Sequence, residues 1–177
     1  MAWRVPVTSS REATYVAVIG PGGHVTDEET DSAVEVGRLL AERGAILVCG
    51  GLGGVMAAAC EGASGRGGLT VGLLPGSSRA DANPYLSVVL PTGMRELRNG
   101  LIVSVSDAVI SVGGSWGTLS EIALAMRTGK PTIVIGGWNV EDLRRGPPGD
   151  LVRAASAEEA VDWALAMAED NRKRGAT

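Results

Sequence analysis

The chain has 177 residues, which suits one domain of ordinary size. Sixteen Lys and Arg against 20 Asp and Glu leave a net charge of −4, and 45% of residues are apolar; this argues against disorder, collagen, coiled coil and an electrostatic nucleic-acid binder. Glycine is abundant at 26, while four Trp, two Tyr and no Phe leave the core to Val, Leu, Ile and Ala.

Residues 1–13 read as a flexible lead-in to a single domain over residues 14–174. Thr14–Ile19 is a short apolar, β-branched run and reads as a buried strand ending in Gly20-Pro21-Gly22-Gly23. Thr26 and Glu29 have capping-box spacing and open a helix with Val34, Leu39 and Leu40 as apolar positions and Gly44 as its closing residue. Ala45–Cys49 is the next strand, Gly50–Gly54 a glycine turn and Val55–Ala63 an Ala-rich helix. Leu69–Leu74 is a strand, Pro75–Ser78 a loop, and Leu86–Leu90 a short strand broken by Pro91-Thr92-Gly93 before a helix over Met94–Ser106. Asp107–Val112 is a strand, Gly113–Gly117 a turn, and Thr118–Arg127 a helix with Ile122 and Met126 as core contacts. Pro131–Ile135 is a strand. Ser156 and Glu159 start a last helix with Val161, Leu165 and Ala168 on one face and Trp163 packing beside them. The basic run Arg172-Lys173-Arg174 reads as a helix end whose cations suit the macrodipole.

Strands alternating with helices give βαβ units, and strands apolar throughout belong to a sheet covered on both faces. The expected fold is α/β: a single doubly wound, Rossmann-like three-layer sandwich with a mostly parallel sheet. Cys49 and Cys60, with His24 the one histidine, do not make a metal site and read as buried reduced thiols. An apolar signal core and a long apolar run are both missing from the sequence, so a soluble cytoplasmic protein without a membrane partner is expected.

Ligands of such sheets bind beyond the carboxyl ends of the strands. Those ends carry Gly20–Gly23, Gly50–Gly54, Pro75–Ser78 and Gly113–Gly117. A glycine turn feeding a helix presents free N–H groups and a positive dipole end, which suits a phosphate; tight βα turns also need glycine for themselves. Gly20, Gly22 and Gly23 begin a dinucleotide fingerprint but lack its third glycine, and Val48-Cys49-Gly50 lacks the acidic residue for a ribose, so NAD is disfavoured. A P-loop motif is absent from the sequence. Arg95 and Arg98, three apart, are expected on one helix face, with Asn99 next. An arginine and a carboxylate such as Glu121 at one pocket suit anion binding and acid/base chemistry. Thr118 and Glu121 equally form a T-x-x-E capping box, and Arg98 equally suits a surface helix. Trp116 suits stacking on a base or pterin, or a place at an interface or lid. His24, after a glycine loop, reads as a turn residue rather than a ligand contact, and Arg79 and Asp81, after Pro75–Ser78, as a solvated loop rather than ligand contacts.

The segment Ser115–Glu121, the upstream Arg98, and the turn Cys49-Gly50-Gly51-Leu52-Gly53-Gly54-Val55-Met56 resemble the LOG superfamily of lysine-decarboxylase-like proteins. That superfamily includes cytokinin-activating phosphoribohydrolases and molybdenum cofactor carrier proteins. The resemblance covers about Tyr15 to Trp138. It implies that Arg98 and Glu121 take the hydrolases' arginine and catalytic glutamate. Gly114, Ser115, Trp116, Gly117 and Thr118 take the phosphate loop, with Gly20, Gly22, Gly23, Gly51, Gly53, Gly54 and Asn99 around the ligand. The sequence departs from the hydrolases at Glu96 (histidine there), Asn99 (lysine), Gly113 (proline) and Ser115 (glycine). The stretch with Gly93, Met94, Arg98 and Asn99 is similar to the carrier-like branch. The resemblance implies a small phosphate-bearing nucleotide or pterin ligand, molybdenum cofactor as a carried ligand, and a homodimer or homotetramer. Under the hydrolase reading the ligand is a nucleoside 5′-monophosphate cleaved to free base and ribose 5-phosphate.

Overall fold

Apolar runs become strands, and glycine turns pass the chain to helices. The computed structural model describes residues 13–139 and 151–175, so the expected lead-in lies outside the described residues except for Ala13. Strands β1 (Tyr15–Ile19), β2 (Ile46–Cys49), β3 (Thr70–Leu74), β4 (Val88–Pro91), β5 (Ala108–Val112), β6 (Thr132–Ile135) and β7 (Leu151–Arg153) form one sheet in the order β4-β3-β2-β1-β5-β6-β7. Every pairing is parallel. Helices α1 (Asp27–Glu42), α2 (Val55–Ser64) and α5 (Ala157–Gly175) share one core layer with Val16, Val18, Leu47, Ile110 and Ile133 of the strands. Helices α3 (Asn99–Val105) and α4 (Trp116–Arg127) cover the other face, over Ala17, Ile19, Val48 and Val109. The doubly wound sandwich expected from the alternation is the fold.

Local chemistry sets the helix ends. Thr26 accepts from the Glu29 N–H, and Glu29 Oε2 accepts from the Thr26 N–H, completing the capping box. Gly44 follows α1 with φ +72°, the left-handed closure its position implied. At α5, Ser156 caps the Glu159 N–H, but the Glu159 carboxylate accepts from Ala155, one residue before the expected donor. The basic run lies at the end of α5, where Lys173 pairs with Glu169 and Arg172 donates to Thr14. Strand β7 escaped the sequence reading because three residues, one of them charged, make no recognisable apolar run. Pro91, expected to break its strand, ends β4; that strand lies at the sheet edge, where a missing N–H is tolerated. No helix among the described residues is long and apolar enough to cross a membrane.

The Ala-rich α2 packs against α1. A Cβ on Gly37 of α1 would lie 1.9 Å from the Ala59 carbonyl oxygen, and one on Gly62 of α2 would lie 1.9 Å from that of Val34. The two backbones touch, and no side-chain rotation can relieve a clash there. Gly37→Ala is therefore expected to cost about 3 kcal/mol, at the upper end of overpacking penalties, read as a lower urea midpoint.

Candidate functional site

The chain winds outward from β1 to β4, then crosses back to add β5, β6 and β7 on the other side of β1. Connections after β1 and β5 therefore diverge, which opens a crevice at the carboxyl ends of these neighbours. Gly20–Gly23, Gly50–Gly54 and the turn before α4 all meet this edge.

The turn before α4 differs from the sequence expectation. Ser115, extended at φ −145° and ψ 169°, is the N-cap, and its Oγ accepts from the Thr118 N–H at 3.2 Å. The helix starts at Trp116, three residues earlier than the T-x-x-E spacing implied, so Thr118 and Glu121 form no capping box. Thr118 sits buried within the first turn, its hydroxyl 2.8 Å from Ser115 Oγ. The N–H groups of Gly114, Ser115, Trp116 and Gly117 make no hydrogen bond among the described residues. They form a row of open donors at a helix N-terminus whose first turn holds no acidic residue. One carboxylate approaches from outside the helix: Glu29 Oε1 lies 2.1 Å from where a Gly113 Cβ would stand.

Relieved of capping, Glu121 stands in the second turn of α4, 7% exposed. It has no hydrogen-bond or ion-pair partner among the described residues. Burial pushes its carboxyl up to about 7, against the downward pull of Arg98.

The expected helix over Met94–Ser106 is a 3-10 turn (Arg95–Arg98) followed by α3. The left-handed backbone of Gly93 (φ +67°) and Arg95 (φ +51°) prevents an α-helix from running through. Gly93 and Arg95 instead donate to the Gly76 and Pro75 carbonyls. This separates the two arginines: Arg95 is exposed, while Arg98 is 7% exposed, neither on a common face nor on the surface. Arg98 lies over Gly50, where a Cβ would come within 2.1 Å of its Nη1 and 2.7 Å of Met56 Sδ. Arg98 Nε is buried without a partner. Burial pulls the guanidinium below its ordinary range, while Glu121 and Cys49 pull it back up. Gly50→Ala is expected to expel the guanidinium from its seat. Binding of ribose 5-phosphate should then fall about tenfold or more in calorimetry, in line with loss of a charge-assisted contact.

The other predicted residues divide by surroundings. Gly22, Gly23 and Gly53 are exposed at the crevice, Gly20 and Gly54 are half-buried, and Gly51 is buried. The first two loops are tied together, the Val55 N–H donating to the Pro21 carbonyl at 3.0 Å. Asn99 donates to Ser120 Oγ at 3.1 Å and so links α3 to α4. Trp116 is 80% exposed. His24 is exposed in a loop, as expected, whereas Arg79 and Asp81 are exposed on a short 3-10 turn (Arg79–Asp81) capped by Ser78. Cys49 and Cys60 are buried free thiols with Sγ atoms 3.5 Å apart; the hydrogen bond to Cys49, and then burial, push Cys60 up, so it keeps its proton. Cys49 also accepts from the Gly51 N–H. The described residues contain no group of three or more His, Cys, Asp or Glu able to hold a metal. Sequence reasoning missed Asn83, which donates to the Gly51 and Leu52 carbonyls and braces the second loop. It also missed Trp138, whose ring lies 5.2 Å from that of Trp116. Neither residue belongs to a periodic pattern or a motif.

Residues 13–161 match the model of the SLOG cluster4 family. An uncharacterised protein of Archaeoglobus fulgidus is 46% identical over 132 residues, 71% of this chain and 85% of that protein. A probable cytokinin riboside 5′-monophosphate phosphoribohydrolase, LOGL5 of Oryza sativa, is 35% identical over 94 residues, 51% of this chain but 38% of its own length. The structure of the molybdenum cofactor binding protein of Rippkaea orientalis superposes with a TM-score of 0.82 at 31% identity, covering 89% of this chain and 99% of that one. The chain belongs to the SLOG cluster4 family, within the LOG superfamily and close to its molybdenum cofactor carrier branch.

Proposed function

We propose that the crevice binds a small ligand carrying a phosphate, a nucleotide or a pterin, with the phosphate on the open amides of Gly114–Gly117. The observation that carries this reading is that row of unpartnered N–H groups at the start of α4. In a low-dielectric crevice such donors hold an anion without reorganising. Arg98 adds a buried cation with an unsatisfied Nε, the kind of group that an incoming anion relieves. The same donors suit the phosphate of molybdenum cofactor as cargo. The likeness to the Rippkaea orientalis protein supports that choice of pterin.

Glu121 favours a second reading, hydrolysis of a nucleoside 5′-monophosphate. A buried carboxyl at about 7 is divided between its acid and base forms near neutrality. As carboxylate it would stabilise the oxocarbenium ion or take a proton from the attacking water. Water then adds at the anomeric carbon, the N-glycosidic bond breaks, and the base leaves with a proton. The likeness to the rice relative supports this reaction class.

Calorimetry with AMP, followed by chromatography of the same mixture, tests both readings. Saturable binding without product is the outcome expected of a carrier. Release of ribose 5-phosphate that is lost in Glu121→Ala would assign the enzyme. Absence of binding by AMP, GMP and molybdenum cofactor would defeat the phosphate-ligand reading.

A further inference from the structure

We infer that Trp116 and Trp138 form a stacking platform for the planar heterocycle of the ligand, an inference that rests on the proposed phosphate site. The two indoles meet edge to face, with centroids 5.2 Å apart and planes at 64°. Trp138 is fixed in place. Arg153 of β7 donates to the Gly136 and Trp138 carbonyls at 2.7 Å each, clamping the turn after β6. Gly137, at φ +69°, brings that turn so close that a Cβ would stand 2.4 Å from the Gly113 carbonyl oxygen. The Trp138 ring then lies against Gly114, 3.6 Å from where a Cβ would be. Trp116 is the first residue of α4, and its own N–H belongs to the row of open donors. An indole 80% exposed and supported from behind by a second, anchored indole is thus joined directly to the phosphate cradle.

The surroundings select the occupant. Leu69, Val88 and Leu90, among the other exposed large apolar side chains, lie at or next to β3 and β4 on the other half of the sheet. Met94, Leu97 and Val105 are also exposed, along the 3-10 turn and α3, so it is the open amides beside the tryptophan pair, and not a lack of apolar surface, that select the occupant. The immediate neighbours are the glycines Gly113, Gly114, Gly136 and Gly137, with the open amides of Gly114 and Gly117 at the start of α4. A flat π-system beside recessed anion donors matches a molecule with an aromatic ring at one end and a phosphate at the other. Purine and pterin share that chemistry. The platform therefore sets a preference for heteroaromatic phosphates over sugar phosphates.

The test compares AMP with ribose 5-phosphate, which has the phosphate and no ring, on the full chain by calorimetry. Wild type is expected to bind AMP about tenfold more tightly than ribose 5-phosphate. Trp116→Ala, which keeps the backbone N–H of the donor row, should lose about that factor for AMP and a much smaller one for ribose 5-phosphate, while Trp116→Phe restores most of it. Trp138→Ala, which removes the support, should weaken AMP by a smaller factor in the same selective way. Equal loss for both ligands in Trp116→Ala would make Trp116 a structural residue and overturn the platform. So would AMP affinity unchanged within twofold, with phosphate binding left intact. If wild type binds neither ligand, the phosphate site fails and the platform falls with it.

Discussion

Replacing Arg98 by Met is expected to lower affinity for ribose 5-phosphate about 100-fold while raising the stability of the unliganded chain. The two effects share one cause. Arg98 is a buried guanidinium with an unpartnered Nε, seated on Gly50 and without a close ion pair among the described residues. The carboxyl that acts on it is Glu121, and a carboxyl at about 7 is mostly neutral at pH 6. At that pH the fold carries a cation it does not balance, and a methionine of similar length fills the same space at lower cost. The gain should be about 1–2 kcal/mol, seen as a higher urea midpoint at pH 6. It should shrink above pH 8, where Glu121 ionises beside Arg98 in the native chain and the variant leaves that carboxylate alone. A variant that loses stability at pH 6 would mean that the guanidinium holds the fold together rather than waiting for an anion.

Glu121→Gln is expected to flatten the pH dependence of stability. Burial raises the carboxyl from an ordinary 4.5 to about 7, so the folded chain holds its proton more tightly than the unfolded chain does. Such a group contributes stability that is fully present below pH 4.5 and is lost as pH rises through about 7. The loss amounts to roughly 3 kcal/mol over that window. Glutamine fills the same space without titrating. Urea unfolding of both proteins from pH 4 to 9 should therefore give curves that separate progressively between about 4.5 and 7, the glutamine variant becoming relatively more stable at the alkaline end. Parallel curves would mean that water reaches the carboxylate and that Glu121 titrates as an ordinary surface acid.

The fold was legible because its strands are apolar on both faces and its helices carry local stop and start signals. Thr14–Ile19 and Asp107–Val112 needed no partner information to be recognised, and the Thr26–Glu29 box marks its helix start unaided. The site was legible as a set of residues and illegible as an arrangement. Around α4, Ser115 and Thr118 are both sound N-cap residues, and each has a polar residue three positions on. Spacing favours the box at Thr118–Glu121. The extended Ser115 after left-handed Gly113 favours the earlier start. That three-residue difference converts Glu121 from a capping group into a buried acid. Arg98 posed the opposite problem. Its i, i+3 relation to Arg95 signals a shared surface, and its burial depends on Gly50, a distant position in sequence that offers no side chain to find. Long-range seats of this kind leave no trace in local periodicity. The same holds for Asn83 under the second loop and Trp138 beside Trp116.

The central claim is that the amides entering α4 are open to an anion. Nitrogen-15 amide spectra recorded during a ribose 5-phosphate titration test it most directly. The account predicts saturable downfield shifts of the Gly114, Ser115, Trp116 and Gly117 N–H signals, together with a shift of the Arg98 Nε–H, and their loss in Arg98→Met at the same ligand concentration. Unmoved signals at these five positions, or saturable shifts confined to another part of the chain, would contradict it.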